Sequence, residues 1–303
     1  MTSTTSIRIE PQGPFQLSRL ALFGFGHRHQ QSFDGTMRLA FVGDDHRTSC
    51  AVAVTQLASG VVECVIQRDS DAASALPVKA VGAQIERILS LDHDGRGFAA
   101  IAKRDPVMDR LQKLAPGLRP PLFHSPYEAA TWSIISARRN ATQMTKVRAS
   151  LCAEHGVTFN ISGEQVAAFP TPDVLLTINQ FPGLEATKIS RLHAVATTAS
   201  TGALDAGHLR LIGPDAAMNE LQQIPGIGPF YATLITVRAA GFADLAPAEE
   251  PQLLAMAGKI YGTGAPLSIA DLTELSKAWA PFRTWASVLL RSTGPQLLSE
   301  SSS

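Results

Sequence analysis

The chain has 303 residues, 45% hydrophobic and 17% charged, with 26 Lys plus Arg balanced by 26 Asp plus Glu. At roughly 150 residues per domain this length suggests about two domains. The composition supports a sizeable core and excludes disorder, and the zero net charge excludes a uniformly basic protein that coats nucleic acid. A local basic footprint on a neutral body remains open.

No apolar run approaches the ~18–20 residues that a membrane span needs. The opening MTSTTSIRIE lacks the apolar core of a secretory signal. Cys50, Cys64 and Cys152 are too few and too scattered for a disulfide framework or a four-cysteine metal site. His27-Arg28-His29 is the nearest approach to a ligand pair. The expectation is a cytoplasmic chain with reduced thiols, no membrane contact and a monomeric default.

Residues 1–6 and 296–303 read as polar, fraying ends. Between them, 15–23 suggests a short helix. MRLAFV (37–42), SCAVAVTQL (49–57) and VVECVIQ (61–67) are β-branched and partly alternating, with turn residues between them. From about 77 the period becomes helical, and Val81, Ile85, Ile88 and Leu89 share a face. GLRPPLF (117–123) is a Pro-rich joint, and beyond it almost everything reads as helix. Ser125-Pro126-Tyr127-Glu128 has the form of a helix start, with Ser as N-cap, Pro at N1 and Glu reaching back from N3. Thr171-Pro172 and Ser268-x-x-Asp271 open further helices in the same way, and Pro281 breaks the chain before the last one.

The most informative stretch is LQQIPGIGPFYATLITVRAAG, 221–241. Apolar helical patterns flank Ile224-Pro225-Gly226-Ile227-Gly228-Pro229, a tight turn with two glycines and then Pro at a helix start. Glycines let a backbone turn sharply and approach a partner closely. Amide N–H groups at such a bend and at the next helix start suit a phosphate. A grip of this kind holds nucleic-acid backbone without reading sequence. The plain alternative is an αα-hairpin with a Gly-rich turn.

This segment resembles the helix-hairpin-helix superfamily of DNA glycosylases, in the 3-methyladenine DNA glycosylase II branch. Residues 86–135, FPGLEATKISRL (181–192), 246–262 and KAWAPFRTWASVLLRS (277–292) extend the resemblance over most of the chain. The resemblance implies an α+β fold. A TATA-binding-protein-like antiparallel sheet domain (1–118) would precede an all-helical domain of two subdomains (119–295), with a disordered tail (296–303).

It also implies an activity: hydrolysis of the N-glycosidic bond of alkylated purines flipped out of double-stranded DNA. Gly226, Ile227, Gly228 and Phe230 would hold the phosphate. The family's essential Asp lies about twenty residues beyond the hairpin, and an ungapped alignment places Glu250 there, with Glu249 as a weaker neighbour. The extra methylene moves the carboxylate by about a bond length, and a misplacement of ~1 Å can cost about a hundredfold in rate. Members that also cut the strand carry a Lys just after the hairpin. Phe230 occupies that position, which implies water as the nucleophile.

The wedge that replaces the flipped base falls on Arg138, with Arg139 beside it and Lys146 and Arg148 on the following helix. Base-pocket positions correspond to Phe230, Leu234, Phe282, Trp285 and Arg291; Tyr127 and Trp132 read as core. No cofactor is implied beyond a monovalent cation held by the carbonyls of Gln222, Ile224 and Ile227. Two other readings stay open: a DNA-binding or lesion-recognition protein that lost the chemistry, and a glycosylase for a different base whose polar group meets Arg291.

Overall fold

The structure, a computed structural model, describes residues 3–28, 32–69, 76–262 and 264–300. In chain order they form β1 (Ser3–Ile9), α1 (Leu17–Ala21), β2 (Thr36–Val42), β3 (Ser49–Gln56), β4 (Val62–Arg68), α2 (Val78–Ile88), α3 (Gly95–Ala99) and α4 (Pro106–Leu114). Next come α5 (Pro126–Ser136), α6 (Ala141–His155), β5 (Thr158–Ile161), β6 (Glu164–Ala167), α7 (Pro172–Thr177) and α8 (Ala186–Ser200). The last are α9 (Ala206–Ile212), α10 (Pro214–Leu221), α11 (Pro229–Ile235), α12 (Pro251–Ile260), α13 (Ile269–Ser276) and α14 (Arg283–Glu300). This is the α+β class expected, an antiparallel sheet with many helices. Among the described residues no helix is long and apolar enough to cross a membrane.

The chain gathers into two compact units, Met1–Glu10 with Ala21–Asp92 and Pro121–Gly241, and Pro11–Leu20 with His93–Pro120 and Phe242–Ser303. A linear division at 118/119 does not describe them, because two N-terminal segments join the C-terminal helices. Arg119 illustrates this, donating to the carbonyls of Gln12, Pro14 and His93 from a fully buried position.

In the first unit the sheet order is β1-β4-β3-β2, antiparallel throughout. Residues 3–6, expected to fray, belong to β1, whose pairing with β4 runs from Ser3↔Arg68 to Ile9↔Val62. β3 is buried from Ser49 to Val54 because both of its faces are covered. Ala51 and Ala53 pack on Phe159, Ile161 and Ala168. Phe159 and Ile161 lie on β5, and Ala168 follows β6 directly; the two strands form a second hairpin in a stretch expected to be helical. Its turn residues, Ser162 and Gly163, have φ of 49° and 79°, the left-handed pair that matches strand twist.

A buried polar knot ties α5 to this sheet. Ser125 caps α5 as expected, accepting from the Glu128 amide at 3.1 Å. Glu128 itself does not reach back to the cap. Its carboxylate, fully buried, takes the Val42 amide at 3.1 Å, His124 Nδ1 at 3.1 Å and Arg148 Nη2 at 2.6 Å. Burial pushes this carboxyl up, but His124, Arg148 and the Val42 amide outweigh it and hold it below its usual value.

In the second unit Asp105 caps α4 and also accepts from Trp279 Nε1 at 2.8 Å and the Tyr261 hydroxyl at 2.5 Å. α12 and α14 cross closely at Gly294, where a Cβ would lie 2.7 Å from Ile260 Cδ1 and 2.8 Å from Met256 Sδ. Residues 296–300, expected to be a disordered tail, continue α14, and Leu297 is buried. Residues 301–303 lie outside the described residues.

Candidate functional site

The hairpin forms as expected. α10 ends at Leu221, Ile224 N donates to Leu221 O at 3.1 Å, and Ile227 N donates to Ile224 O at 3.0 Å. Ile224 and Ile227 turn inward and are buried. Gly226 has φ of 94°, a conformation that side chains rarely adopt. Gly228 is extended (φ −92°, ψ −178°) and begins α11, whose opening amides have no side-chain cap. α11 continues as one π-helical segment, Thr236–Ala240, and ends at left-handed Gly241.

Phe230 is 61% exposed, edge-on to Tyr231. Leu234 lies one turn further along α11 on the same face and is half-buried. The carbonyl of Ile224 accepts from Ile227 within the bend, so a cation there would use its second lone pair.

The basic turn joins α5 to α6, whose N-cap Asn140 accepts from Gln143 N at 3.1 Å. Arg138 is exposed at its tip with φ of 56°. Arg139 pairs with Glu185 at 2.7 Å, both largely exposed. Beneath the turn, buried Lys188 donates to the carbonyls of Ile135 (2.6 Å) and Ala137 (3.1 Å). Burial, then Arg139, hold the Lys188 ammonium below its usual value. Nothing local in the sequence marked Lys188, since its partners lie about fifty residues away. Of the two basic residues on α6, Lys146 is exposed; Arg148 is buried against Glu128 and is not a surface contact.

In the second unit Glu250 is the N-cap of α12, with Pro251 at N1. Its Oε2 accepts from Leu253 N at 2.8 Å and from Arg291 Nη1 at 2.5 Å. Among the described residues its Oε1 accepts only a long bond, 3.3 Å, from Gln252 N. Arg291 Nη2 donates to Gln252 Oε1 at 2.5 Å. The guanidinium expected to line a base pocket is thus engaged by the carboxylate and its neighbour. Glu249 is exposed.

Phe282 and Trp285 are core rather than an open aromatic wall, 7% and 3% exposed. They pack at 4.9 Å between ring centroids, with Phe98 5.4 Å from Trp285 and Arg119 5.6 Å above its ring. Phe98 and Trp285 also line a small pocket with Pro14 and Gln112. Tyr127 and Trp132 are core as expected.

Among the described residues, donor atoms of His27, His124 and Glu128 lie within 4.8 Å of one another. Arg148 already compensates that carboxylate, so a cation there would have to displace a guanidinium. His29 lies outside the described residues.

No family model matches the chain. It is 27% identical over 217 residues to the probable bifunctional transcriptional activator/DNA repair enzyme AlkA of Mycobacterium tuberculosis, over 70% of this chain and 42% of that protein. The chain therefore spans less than half the length of that relative. It is 21% identical over 210 residues to the DNA-3-methyladenine glycosylase of Bacillus subtilis, over 68% of this chain and 69% of that one. The 3-methyladenine DNA-glycosylase of Archaeoglobus fulgidus superposes with a TM-score of 0.75 at 19% identity, covering 96% of this chain and 99% of that one. The resemblance to DNA glycosylases of the 3-methyladenine branch is thus seen in the relatives' sequences, and the chain shares the fold of a solved glycosylase.

Proposed function

We propose that this chain is a monofunctional DNA N-glycosylase of base-excision repair acting on alkylated purines in duplex DNA. The observation that carries the reading is Glu250. It is a carboxylate fixed at a helix N-terminus, about twenty residues after the hairpin in sequence, with one oxygen left nearly unused.

In this reading the open face of the bend at Gly226, Ile227 and Gly228, with the start of α11 at Phe230, holds the DNA backbone. Arg138 fills the gap left by the everted nucleotide, with Arg139 meeting phosphate. Phe230 and Leu234 offer an apolar face to the base. As the bond from C1′ to the base nitrogen lengthens, positive charge grows on the sugar. Glu250 stabilises it, orients water and takes the proton that water loses as its oxygen bonds to C1′, while the electron pair of the broken bond leaves with the base. A preorganised carboxylate acts here without reorganising during the step. Phe230 offers no amine, so no Schiff base forms by the lysine route and the strand stays intact.

The carbonyls of Gln222, Ile224 and Ile227 are the candidates for holding a monovalent cation, which would add positive charge beside the phosphate. A monomer in a reducing cytoplasm completes the reading; Cys50, Cys64 and Cys152 are buried and unpaired, which accords with a reducing compartment.

One observation favours a second reading, lesion recognition without cleavage: Glu250 caps α12 and is ion-paired, roles that need no chemistry. The two separate on methylated duplex DNA. The glycosylase releases free purines and leaves abasic sites in unbroken strands. Tight binding with no release from alkylated, deaminated or etheno-base substrates establishes the recognition protein instead.

A further inference from the structure

We propose that Arg291 is a positioning residue for the glycosidic step, the part that makes a glutamate competent at this position. The proposal rests on Glu250 being the reaction's carboxylate. A glutamate has one more rotatable bond than an aspartate, so an unrestrained Glu250 would present either oxygen over a wider arc. The structure removes that freedom at one atom. Oε2 receives both the Leu253 amide and Arg291 Nη1, which fill its two lone-pair directions. Oε1 is left with the long Gln252 contact and is the oxygen free to face a sugar or a water.

The clamp is itself braced. Arg291 spreads its two terminal nitrogens over Glu250 and Gln252, both in the opening of α12. A fork that engages two acceptors at once fixes an angle as well as a distance, which a lysine ammonium cannot do. Behind it, Gly294 lets α14 approach Met256 and Ile260 on α12 closely, and so holds the helix that carries Arg291. The Arg291 side chain remains 38% exposed, so its removal leaves no buried hole.

The test is single-turnover base release from methylated duplex DNA by the full chain, with affinity read separately on a duplex carrying a tetrahydrofuran abasic analogue. Arg291→Met is expected to lower the rate at saturation about 10–100-fold, the scale of a carboxylate misplaced by about 1 Å, while DNA affinity and half-saturating enzyme concentration stay put. Arg291→Lys is expected to recover part of the loss. Gln252→Ala, which removes only the brace, should lose less, and it carries the test if Arg291→Met does not fold.

A wild-type rate in Arg291→Met overturns the proposal. So does a rate loss matched by an equal loss of DNA affinity, which would make Arg291 a phosphate contact. Glu250→Gln, run in parallel, separates the two claims. If it is inactive while Arg291→Met is unaffected, only the positioning role falls. If Glu250→Gln is fully active, or the wild type releases no base, both fall.

Discussion

Gly226 and Gly228, two residues apart in one bend, face opposite environments. A Cβ on Gly226 would lie 2.7 Å from Arg191 Cδ and 2.8 Å from Ile134 Cδ1, at a φ of 94°. A Cβ on Gly228 would meet nothing within 4 Å, at an extended φ that any residue adopts. The first glycine is required by the fold; the second is open to a partner. Gly226→Ala is therefore expected to destabilise the first unit by about 1–3 kcal/mol through strain and overpacking. Gly228→Val should cost less than about 1 kcal/mol, the scale of a changed N-cap. If phosphate approaches the bend, Gly228→Val should still weaken DNA binding about tenfold or more, equally for unrelated sequences. Thermal melts and DNA titrations check the pair. Unchanged binding in folded Gly228→Val would remove the bend as the grip.

Arg138 holds a left-handed backbone without being a glycine. Arg138→Gly relieves that strain and is expected to be neutral, or stabilising by up to about 1 kcal/mol. The same change should reduce base flipping, read from 2-aminopurine fluorescence placed beside the lesion. Equal flipping in the variant would retire Arg138 as the wedge.

Lys188 supports this turn from below by holding the carbonyls of Ile135 and Ala137. Lys188→Met leaves both acceptors without that donor and is expected to cost about 1–3 kcal/mol. Flipping should fall as well, because the tip loses its base. Chemical denaturation and the same fluorescence assay check both effects; full flipping with a lowered stability would make Lys188 purely structural.

The Glu128 knot fixes a pH dependence for the first unit. Burial holds His124 below the ordinary imidazole value of 6.5, with Arg28 and Arg148 adding to it against Glu128. As pH falls through that value the unfolded imidazole takes up a proton and the folded one does not, so stability declines. Glu128 has a folded value below its ordinary 4.5. Its contribution is whole above 4.5 and is lost as pH falls through the folded value. Melting temperature is therefore expected to fall progressively from about pH 6.5 into the acid range. Glu128→Gln should flatten the lower part of the curve. It should also cost about 3–5 kcal/mol at neutral pH by leaving Arg148 uncompensated. A melting temperature independent of pH over this range would contradict the assignment.

Periodicity made β2, β3 and β4 legible, and cap residues revealed the starts of α5, α7 and α13. Turn chemistry identified the hairpin at 224–229. Residues 3–6 looked like a fraying end because they are polar and carry no core signal, and pairing with β4 places them in β1. The β5–β6 hairpin lay in a stretch read as helical, although Ser162-Gly163 between alternating residues is a hairpin signal. Glu250 could be placed by spacing and family resemblance, whereas its clamp could not. Arg291 lies about forty residues away on another helix, and only the close crossing at Gly294 brings the two together. Phe282 and Trp285 show the reverse failure, since aromatic residues at helical spacing formed core.

The most direct measurement compares the wild-type full chain with Glu250→Gln on methylated duplex DNA, scoring free purine released and DNA bound in the same samples. The account expects release by the wild type, a loss of at least about a hundredfold in the variant, and undiminished binding. Equal release by the two proteins would contradict it.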